Sequence, residues 1–280
     1  MSTAIGISRP NLGMLGIEPL RALLEFARMH LMDHNGATTG DGHAVVLFPG
    51  LGAGHGYMAP LAKHCERLGY VCYDWGRGTN TGPTGDPEVW LGELALDVAE
   101  KVSSHSQGVS LIGWSLGGLY AREIAKALPH RVRQVITLGS PFANLSGSTN
   151  AGWLYEVLNG GSTTINRRLA KALTLPPPVP TTSIYSRSDG VVAWEACVSG
   201  HGPLTENIEV DSSHMGLVWH PDVLRILGDR LGQREGIGRP GPSNSCQLSR
   251  SRCRLPAQSP ATALARVASV SMVGARLNRA

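Results

Sequence analysis

The strongest chemical signal in the chain is a serine flanked by glycines, at a point where a β-rich run changes into a helical run. Residues 113–118 read GWSLGG, directly after the segment VSLI of residues 109–112. A strand that turns sharply into a helix strains the residue at the turn and lifts its side chain out of the sheet, so residues two positions to either side must be small. Gly113 and Gly117 meet that demand, and Ser115 is the predicted nucleophile. In a chain with 35 glycines, the motif GxSxG without its strand and helix context would also fit a glycine-rich turn.

With this elbow in place, the sequence resembles the α/β-hydrolase superfamily, in particular its lipase and esterase branch, from about His43 to Leu231. The other matching landmarks are the turn Phe48-Pro49-Gly50-Leu51-Gly52, the segment Gly139-Ser140-Pro141, the acidic turn at Asp189, and His214. The chain departs from the family by starting without evident leading strands.

The resemblance implies a complete set of partners for the serine. A serine hydroxyl is a weak nucleophile at neutral pH, so it needs a histidine base and a carboxylate that orients the histidine. In this fold the three residues occur in the order serine, acid, histidine. Ser115, Asp189 and His214 follow that order, with Asp189 directly after a β-rich run and His214 in the loop after the last one. These three residues are the predicted catalytic set.

Two rivals lie close to these positions in sequence. His220 precedes Pro221, so it is interpreted as the residue that opens the final helix and not as the base. Asp211 lies three residues before His214, and aspartate side chains readily accept N–H groups two or three residues ahead. Asp211 is therefore predicted to cap its own turn, while Asp189 reaches the histidine from a different strand end.

The negative charge that develops on a substrate carbonyl oxygen needs backbone donors fixed in advance. The resemblance assigns this oxyanion hole to the N–H groups of Leu51 and Leu116. The loop PGLGAG of residues 49–54 would also fit the start of a dinucleotide-binding GxGxxG, but residue 55, where the third glycine belongs, is His55. No cofactor is expected, and His55 is predicted either to line the entrance to the site or to be a plain loop histidine.

The elements that must position these groups alternate between short β-branched runs and stretches of helical periodicity. This alternation predicts βα units and an α/β fold with a mostly parallel sheet of about six or more strands flanked by helices. The predicted strands are Ala44–Phe48, Tyr70–Asp74, Val109–Gly113, Val132–Leu138, Thr181–Ser186 and Asn207–Val210. The predicted helices, with apolar residues three and four apart, are Tyr57–Leu68, Pro87–Ser103, Leu116–Leu128 and Pro221–Leu231.

An N-terminal helical segment, residues 1–42, precedes the predicted hydrolase domain of residues 43–231. Within it, Glu18–Met32 is predicted to form an amphipathic helix with Pro19 near its first turn, packed across the edge of the sheet. The first ten residues lack the cationic start and apolar run of a secretory signal, so a cytoplasmic location is expected. No apolar stretch is long enough for a transmembrane helix.

One connection is too long for a plain crossover, since about 40 residues separate Ser140 from Thr181. It contains two helical stretches, Trp153–Asn159 and Ile165–Leu173, and residues 141–180 are predicted to form a short helical lid. The alternative is a structural excursion that buries one sheet edge. The predicted pocket and lid residues are Trp114, His55, Trp153 and Leu154.

The net charge of +4 is concentrated at the end of the chain. From residue 232 onward eight arginines face the single acid Glu235, which leaves 17 of the 25 basic and 20 of the 21 acidic residues in the first 231 positions. Residues 232–280 are predicted to form a basic, disordered tail. A basic arm for nucleic acid is the alternative, but its arginines lack interleaved aromatic residues, so no nucleic-acid partner is expected.

The five cysteines are scattered and odd in number, which predicts neither a disulfide framework nor a metal site. Together with the resemblance, the sequence thus predicts a serine hydrolase that cleaves carboxylic esters, small-molecule or lipid-like, through an acyl-enzyme intermediate. Amidases, thioesterases and acyltransferases share this machinery, and a noncatalytic binding protein could retain the fold.

Overall fold

The computed structural model describes residues 10, 12–32, 40–143 and 167–233, and these residues are built around a six-stranded sheet. All five strand pairings are parallel. The strands are β1 Ala44–Phe48, β2 Val71–Asp74, β3 Val109–Trp114, β4 Val132–Leu138, β5 Thr181–Tyr185 and β6 Thr205–Glu209. The helices are α1 Leu12–His30, α2 His55–Arg67, α3 Pro87–Lys101, α4 Leu116–Ala127, α5 Arg167–Thr174 and α6 Pro221–Leu231, with short 3₁₀ helices at Trp194–Cys197 and Met215–Val218.

The predicted fold class is confirmed, and the predicted strands are found within a few residues of their expected ends. β1 and β4 have the predicted bounds. β6 begins two residues earlier than expected, at Thr205, because its pairing with β5 starts there, opposite Thr181. Of the described helices, none is both long enough and apolar enough to cross a membrane.

Two apolar layers enclose the sheet. Successive side chains of a strand point to opposite faces, and in β1 this places Val46 and Phe48 against the layer with α3 and α4. Val45 and Leu47 pack in the other layer, with α2 and α6. Every residue of β1 is buried, as expected for a parallel strand covered on both faces.

The order of the strands places a topological switch point between β1 and β3. The order is β2-β1-β3-β4-β5-β6, so the chain leaves β1 toward one side and returns to β3 on the other. In open α/β sheets, ligands bind at such a switch point, outside the carboxyl ends of the strands. Ser115 follows β3 directly, and the loop of Leu51 follows β1.

The N-terminal helix differs most from its prediction. α1 begins at Leu12, six residues earlier than expected, so Pro19 lies inside the helix and not in its first turn. Instead of lying across the sheet edge, α1 packs on the 3₁₀ helix Met215–Val218 and on α6. The helical turn before Pro19, which contains Leu15, is packed tightly against Gly190. A Cβ added at Gly190 would lie 2.5 Å from the backbone nitrogen of Leu15. This close packing can offset the cost of about 3 kcal/mol that an interior proline carries.

Part of the predicted lid and tail lies outside the described residues. These parts are the stretch Trp153–Asn159, with the predicted pocket residues Trp153 and Leu154, and residues 234–280. The second predicted lid helix, Ile165–Leu173, corresponds to α5.

Candidate active site

The turn between β3 and α4 holds Ser115 in an unusual backbone conformation. Its φ of 54° and ψ of −122° make it the only non-glycine residue with positive φ in the described part of the chain. A Cβ at Gly113 would lie 2.4 Å from the carbonyl oxygen of Gly117, and one at Gly117 would lie 2.3 Å from the carbonyl oxygen of Phe48. The glycines are therefore required by close backbone contacts, as the motif predicts.

The structure brings the three predicted catalytic residues into one hydrogen-bonded chain. The Nε2 of His214 lies 3.1 Å from the Oγ of Ser115, and its Nδ1 lies 2.7 Å from Oδ2 of Asp189. All three side chains are buried. The residues come from the ends of β3, β5 and β6, so the sheet itself sets their spacing. This geometry suits transfer of a proton from the serine to the histidine.

Backbone donors fix the orientation of the Asp189 carboxylate. Its Oδ1 accepts hydrogen bonds from the N–H groups of Val191, at 2.8 Å, and Val192, at 2.7 Å. Oδ2 is thereby directed at His214. The carboxylate is thus held in place before any substrate binds, as an orienting residue must be.

The charges around His214 favour its protonated form. Burial lowers the pKa of His214, but the charge and hydrogen bond of Asp189, together with the charge of Glu18, outweigh the effect of burial and raise the pKa above the ordinary value.

Trp114 holds the backbone of His214 in place, because its indole N–H donates to the carbonyl oxygen of His214 at 3.0 Å. The Trp114 ring also stacks on Tyr57, with centroids 4.7 Å apart.

Two carboxylates of α1 bind the loop of His214, and sequence reasoning missed both of them. Glu18 accepts the N–H groups of His214 and Met215, and Glu25 accepts the N–H and hydroxyl of Ser213. Their only signal in the sequence is a spacing of seven residues, which places them on one face of the helix.

The prediction that Asp211 caps its own turn is wrong. The N–H groups two and three residues ahead of it, those of Ser213 and His214, are bound by α1 instead. The Asp211 side chain is 89% exposed and accepts from the hydroxyl of Ser188 at 2.5 Å and from Arg21 at 3.3 Å. By contrast, His220 opens α6 as expected, with its ring accepting from the N–H of Asp222 at 3.2 Å.

The predicted oxyanion donors, Leu116 and Leu51, belong to two segments that adjoin Ser115. Leu116 is the first residue of α4, so its N–H belongs to the helix N-terminal groups that have no partner within the helix. Leu51 follows Gly50, whose added Cβ would lie 3.1 Å from the Cβ of Ser115. Asn80 fixes this loop, because its side chain donates to the carbonyl of Pro49 at 2.7 Å. The convergence of the two N–H groups on one substrate oxygen stays a prediction.

Two of the predicted pocket residues can be placed. Trp114 is buried beneath His214, where it packs and donates as described above. The His55 side chain is 71% exposed, at the start of α2, and its ring lies 3.9 Å from the carboxylate of Asp74. His55 lines a small pocket that also includes Leu47 and Tyr73 but no member of the predicted triad. The role of both residues in substrate binding stays a prediction.

A second serine–histidine–aspartate chain lies at the amino ends of the strands. Asp41 contacts Nδ1 of His43, and Nε2 of His43 lies 2.7 Å from the Oγ of Ser110. Burial raises the pKa of Asp41, but hydrogen bonds from His43 and Arg133 outweigh it and lower the pKa to about 2. Ser110 is fully buried within β3, and its hydroxyl also accepts from Gln134. Ser110 does not lie at an elbow between a strand and a helix. We therefore interpret the hydrogen-bonded residues Asp41, His43 and Ser110 as a structural network, called the polar tie below.

Among the described residues there is no group of three or more histidine, cysteine or acidic side chains that could hold a metal ion.

Known proteins resemble this chain in sequence and in fold. A model of the alpha/beta hydrolase family matches residues 45–265. A pimeloyl-[acyl-carrier protein] methyl ester esterase of Pseudoalteromonas atlantica is 31% identical over 137 residues, which cover 49% of this chain and 52% of that protein. The chain therefore spans about half the length of this curated relative.

Solved structures of lipases share the fold. Lipase B of Aspergillus fumigatus superimposes with a TM-score of 0.55 at 18% identity, over 75% of this chain and 57% of that one. A mature lipase of Bacillus licheniformis superimposes with a TM-score of 0.52 at 16% identity, over 71% of this chain and 94% of that one. At such identities the likeness shows the fold alone.

Proposed function

Because the chain belongs to the alpha/beta hydrolase family, we propose that it is a serine hydrolase that cleaves carboxylic esters through an acyl-enzyme intermediate. The observation that carries the proposal is the hydrogen-bonded chain Ser115–His214–Asp189 at the elbow between β3 and α4. In this mechanism the nucleophile is Ser115, the base is His214, and the orienting acid is Asp189.

The first half of the reaction forms the acyl-enzyme. The Oγ of Ser115 attacks the ester carbonyl carbon while Nε2 of His214 takes the hydroxyl proton. The negative charge moves to the carbonyl oxygen, which the N–H groups of Leu51 and Leu116 stabilise. The tetrahedral intermediate then collapses, the bond to the alcohol oxygen breaks, and His214 gives its proton to the leaving alcohol.

The second half releases the acid. A water molecule loses a proton to Nε2 of His214 and attacks the acyl carbon, and the resulting intermediate expels the Oγ of Ser115, which recovers the proton. Throughout both halves Asp189 stabilises the imidazolium and keeps Nδ1 protonated. The raised pKa of His214 supports this role, because it reflects a preference for the imidazolium that forms in each half.

The choice of esters rests on the relative and not on the triad, since amidases, thioesterases and acyltransferases use the same residues. The curated relative is named a methyl ester esterase, and this supports an ester substrate for the present chain. A binding protein that retained the fold is the alternative of another class, and covalent labelling separates it from an enzyme.

We expect a fluorophosphonate probe to label Ser115, because such probes modify a serine only where a base and an oxyanion hole activate it. The measurement is labelling followed by peptide mapping, with p-nitrophenyl butyrate turnover in parallel. Ser115→Ala should abolish labelling and lower turnover by about 10⁴-fold or more.

Ser110→Ala is the matched control, because Ser110 also contacts a histidine that contacts an aspartate. It should be labelled at Ser115 like the wild type and retain turnover. Labelling that persists in Ser115→Ala, or a wild-type protein that neither reacts nor turns over esters, would reject the proposed function.

A further inference from the structure

α1 buries carboxylates and exposes leucines, which is the reverse of an ordinary surface helix. Glu18 is 2% exposed and Glu25 is 6% exposed, whereas Leu20, Leu23 and Leu24 lie on the exposed side. Burying a polar group is costly unless hydrogen bonds replace the lost water. The same face of α1 also buries Ala22 and Met29 in the apolar layer. Apolar burial thus contributes to the docking of α1, but it does not account for the two buried carboxylates, whose hydrogen-bond partners must.

Glu18 joins two loops that are far apart in the chain. Its Oε1 accepts the N–H of Gly190 at 2.8 Å and the N–H of His214 at 3.1 Å, and its Oε2 accepts the N–H of Met215 at 3.2 Å. Gly190 is the residue after Asp189. One side chain thus binds the backbone beside the predicted acid and the backbone of the predicted base.

We propose that Glu18 is a positioning residue of the active site, which holds the loops of Asp189 and His214 at the separation that their hydrogen bond requires. It touches neither substrate nor the reacting atoms, and acts through the backbone of the two loops. The inference rests on the proposed function, because it assigns Glu18 a role in the chemistry of His214.

The close docking of α1 supports this role. A Cβ at Gly190 would lie 2.5 Å from the backbone nitrogen of Leu15, and one at Gly216 would lie 1.6 Å from a carboxylate oxygen of Glu25. Arg21, between the two glutamates, donates to the carbonyl and hydroxyl of Ser188, at 2.5 and 2.8 Å. The helix therefore has little freedom to shift relative to either loop, as a positioning element needs.

Glu18 also acts on His214 through its charge. The titratable groups that bind His214 or its loop are Asp189 after β5, Glu18 and Glu25 on α1, and Tyr57 on α2, whose hydroxyl donates to the carbonyl of Met215. Burial and the two glutamate charges raise the pKa of Tyr57, which therefore stays neutral. Of the two glutamates, Glu18 contributes to the raised pKa of His214, as Asp189 does.

Because Glu18 is charged, its proposed role predicts a change in the pH dependence of kcat/KM that a purely structural role would not produce. A protonated His214 cannot accept the serine proton, so kcat/KM is lost as the pH falls through the pKa of His214. Glu18 raises that pKa. Glu18→Gln, which retains the shape and one acceptor oxygen, should lower it, so that activity extends to lower pH.

The matched control is Glu25→Gln, which neutralises the other buried carboxylate of the same helix, bound to the same loop. The rate of fluorophosphonate labelling and kcat/KM are measured against pH in the wild type and both variants, with circular dichroism to verify folding. We expect the acid limb to move to lower pH in Glu18→Gln and to stay in place in Glu25→Gln. Glu18→Ala should in addition lower kcat by about 10- to 100-fold with little change in KM, as small misplacements of catalytic groups do.

Titration of the His214 imidazole by NMR in a Ser115→Ala background measures the same pKa without turnover. An unchanged titration in Glu18→Gln, or an equal shift in Glu25→Gln, would overturn the inference. A wild-type protein that is not labelled at Ser115 would reject the proposed function instead, and the imidazole titration would still decide what Glu18 does.

Discussion

Residue type and hydrogen bonding do not by themselves identify a nucleophile, since two serine–histidine–aspartate chains occur in the described part of this molecule. Ser110 and Ser115 lie five residues apart, and each contacts a histidine nitrogen, at 2.7 and 3.1 Å. Ser110 lies inside β3, with a neighbouring amide donating to its hydroxyl. Ser115 is lifted out of the sheet by its positive φ and is followed by the N-terminus of α4. The backbone conformation and surroundings of the serine, and not its histidine partner, therefore distinguish the predicted nucleophile Ser115 from Ser110.

The acid of the predicted triad can be tested against its nearest rival. Asp189→Asn keeps the oxygen that binds Val191 and Val192 but turns an amide toward His214, which would stabilise the wrong tautomer. We expect a loss of turnover of about 10⁴-fold, the scale of the equivalent change in a protease triad.

Asp211→Asn is the comparison for that variant. Because the Asp211 side chain is exposed and binds only Ser188 and Arg21 among the described residues, we expect a loss of about tenfold or less. Both variants are assayed on one ester, with circular dichroism to exclude unfolding. The reverse ranking would move the acid to Asp211.

At the scale of elements, the elbow depends on close contact between the backbones of β1, β3 and α4. Gly117, the second residue of α4, touches the carbonyl of Phe48 at the end of β1 so closely that no side chain fits. We expect Gly117→Ala to cost about 1–3 kcal/mol of stability, the usual cost of overpacking, and to displace Ser115. The measurement is denaturant unfolding together with turnover.

Gly92→Ala is the control for this substitution, since Gly92 lies within α3 with open space around it. Replacing a helical glycine by alanine there should stabilise the protein by about 0.4–1 kcal/mol and leave turnover unchanged. Equal effects of the two substitutions would show that the tight contact at the elbow does not matter.

The sequence was sufficient to predict the strands and the elbow, because each depends on a local pattern. β1 and β3 are mostly apolar runs of five and six consecutive residues. The order of the three predicted site residues was instead implied by the resemblance to the family. The role of α1 was not predictable in this way. Glu18 and His214 are 196 residues apart, and a glutamate in an amphipathic helix ordinarily faces water. The same long-range contacts explain why Asp211 does not cap its own turn.

At the scale of the whole molecule, the carboxyl and amino ends of the sheet carry different sets of polar residues. The carboxyl end collects Ser115, His214 and Asp189 from three strands. The amino end carries a polar tie in which Arg133 donates to Asp41 at 2.5 Å and also to the carbonyl oxygen of Gln233, just after α6. The end of α6 is thus bound, through Arg133, to the residues that precede β1.

The hydrogen bond between Arg133 and Gln233 defines two truncated proteins that can be compared. Residues 234–280 carry eight arginines and little apolar periodicity, so we expect them to add no core. A protein truncated after Gln233 should retain its Tm and its turnover. Truncation after Gly232 removes the Gln233 acceptor of Arg133, at a cost of about 1–3 kcal/mol for a buried donor left unpaired, which corresponds to a Tm lower by about 2–12 °C. Thermal unfolding of both truncated proteins, with ester turnover, makes the comparison, and a large loss of folded protein already after Gln233 would show that the tail packs on the body.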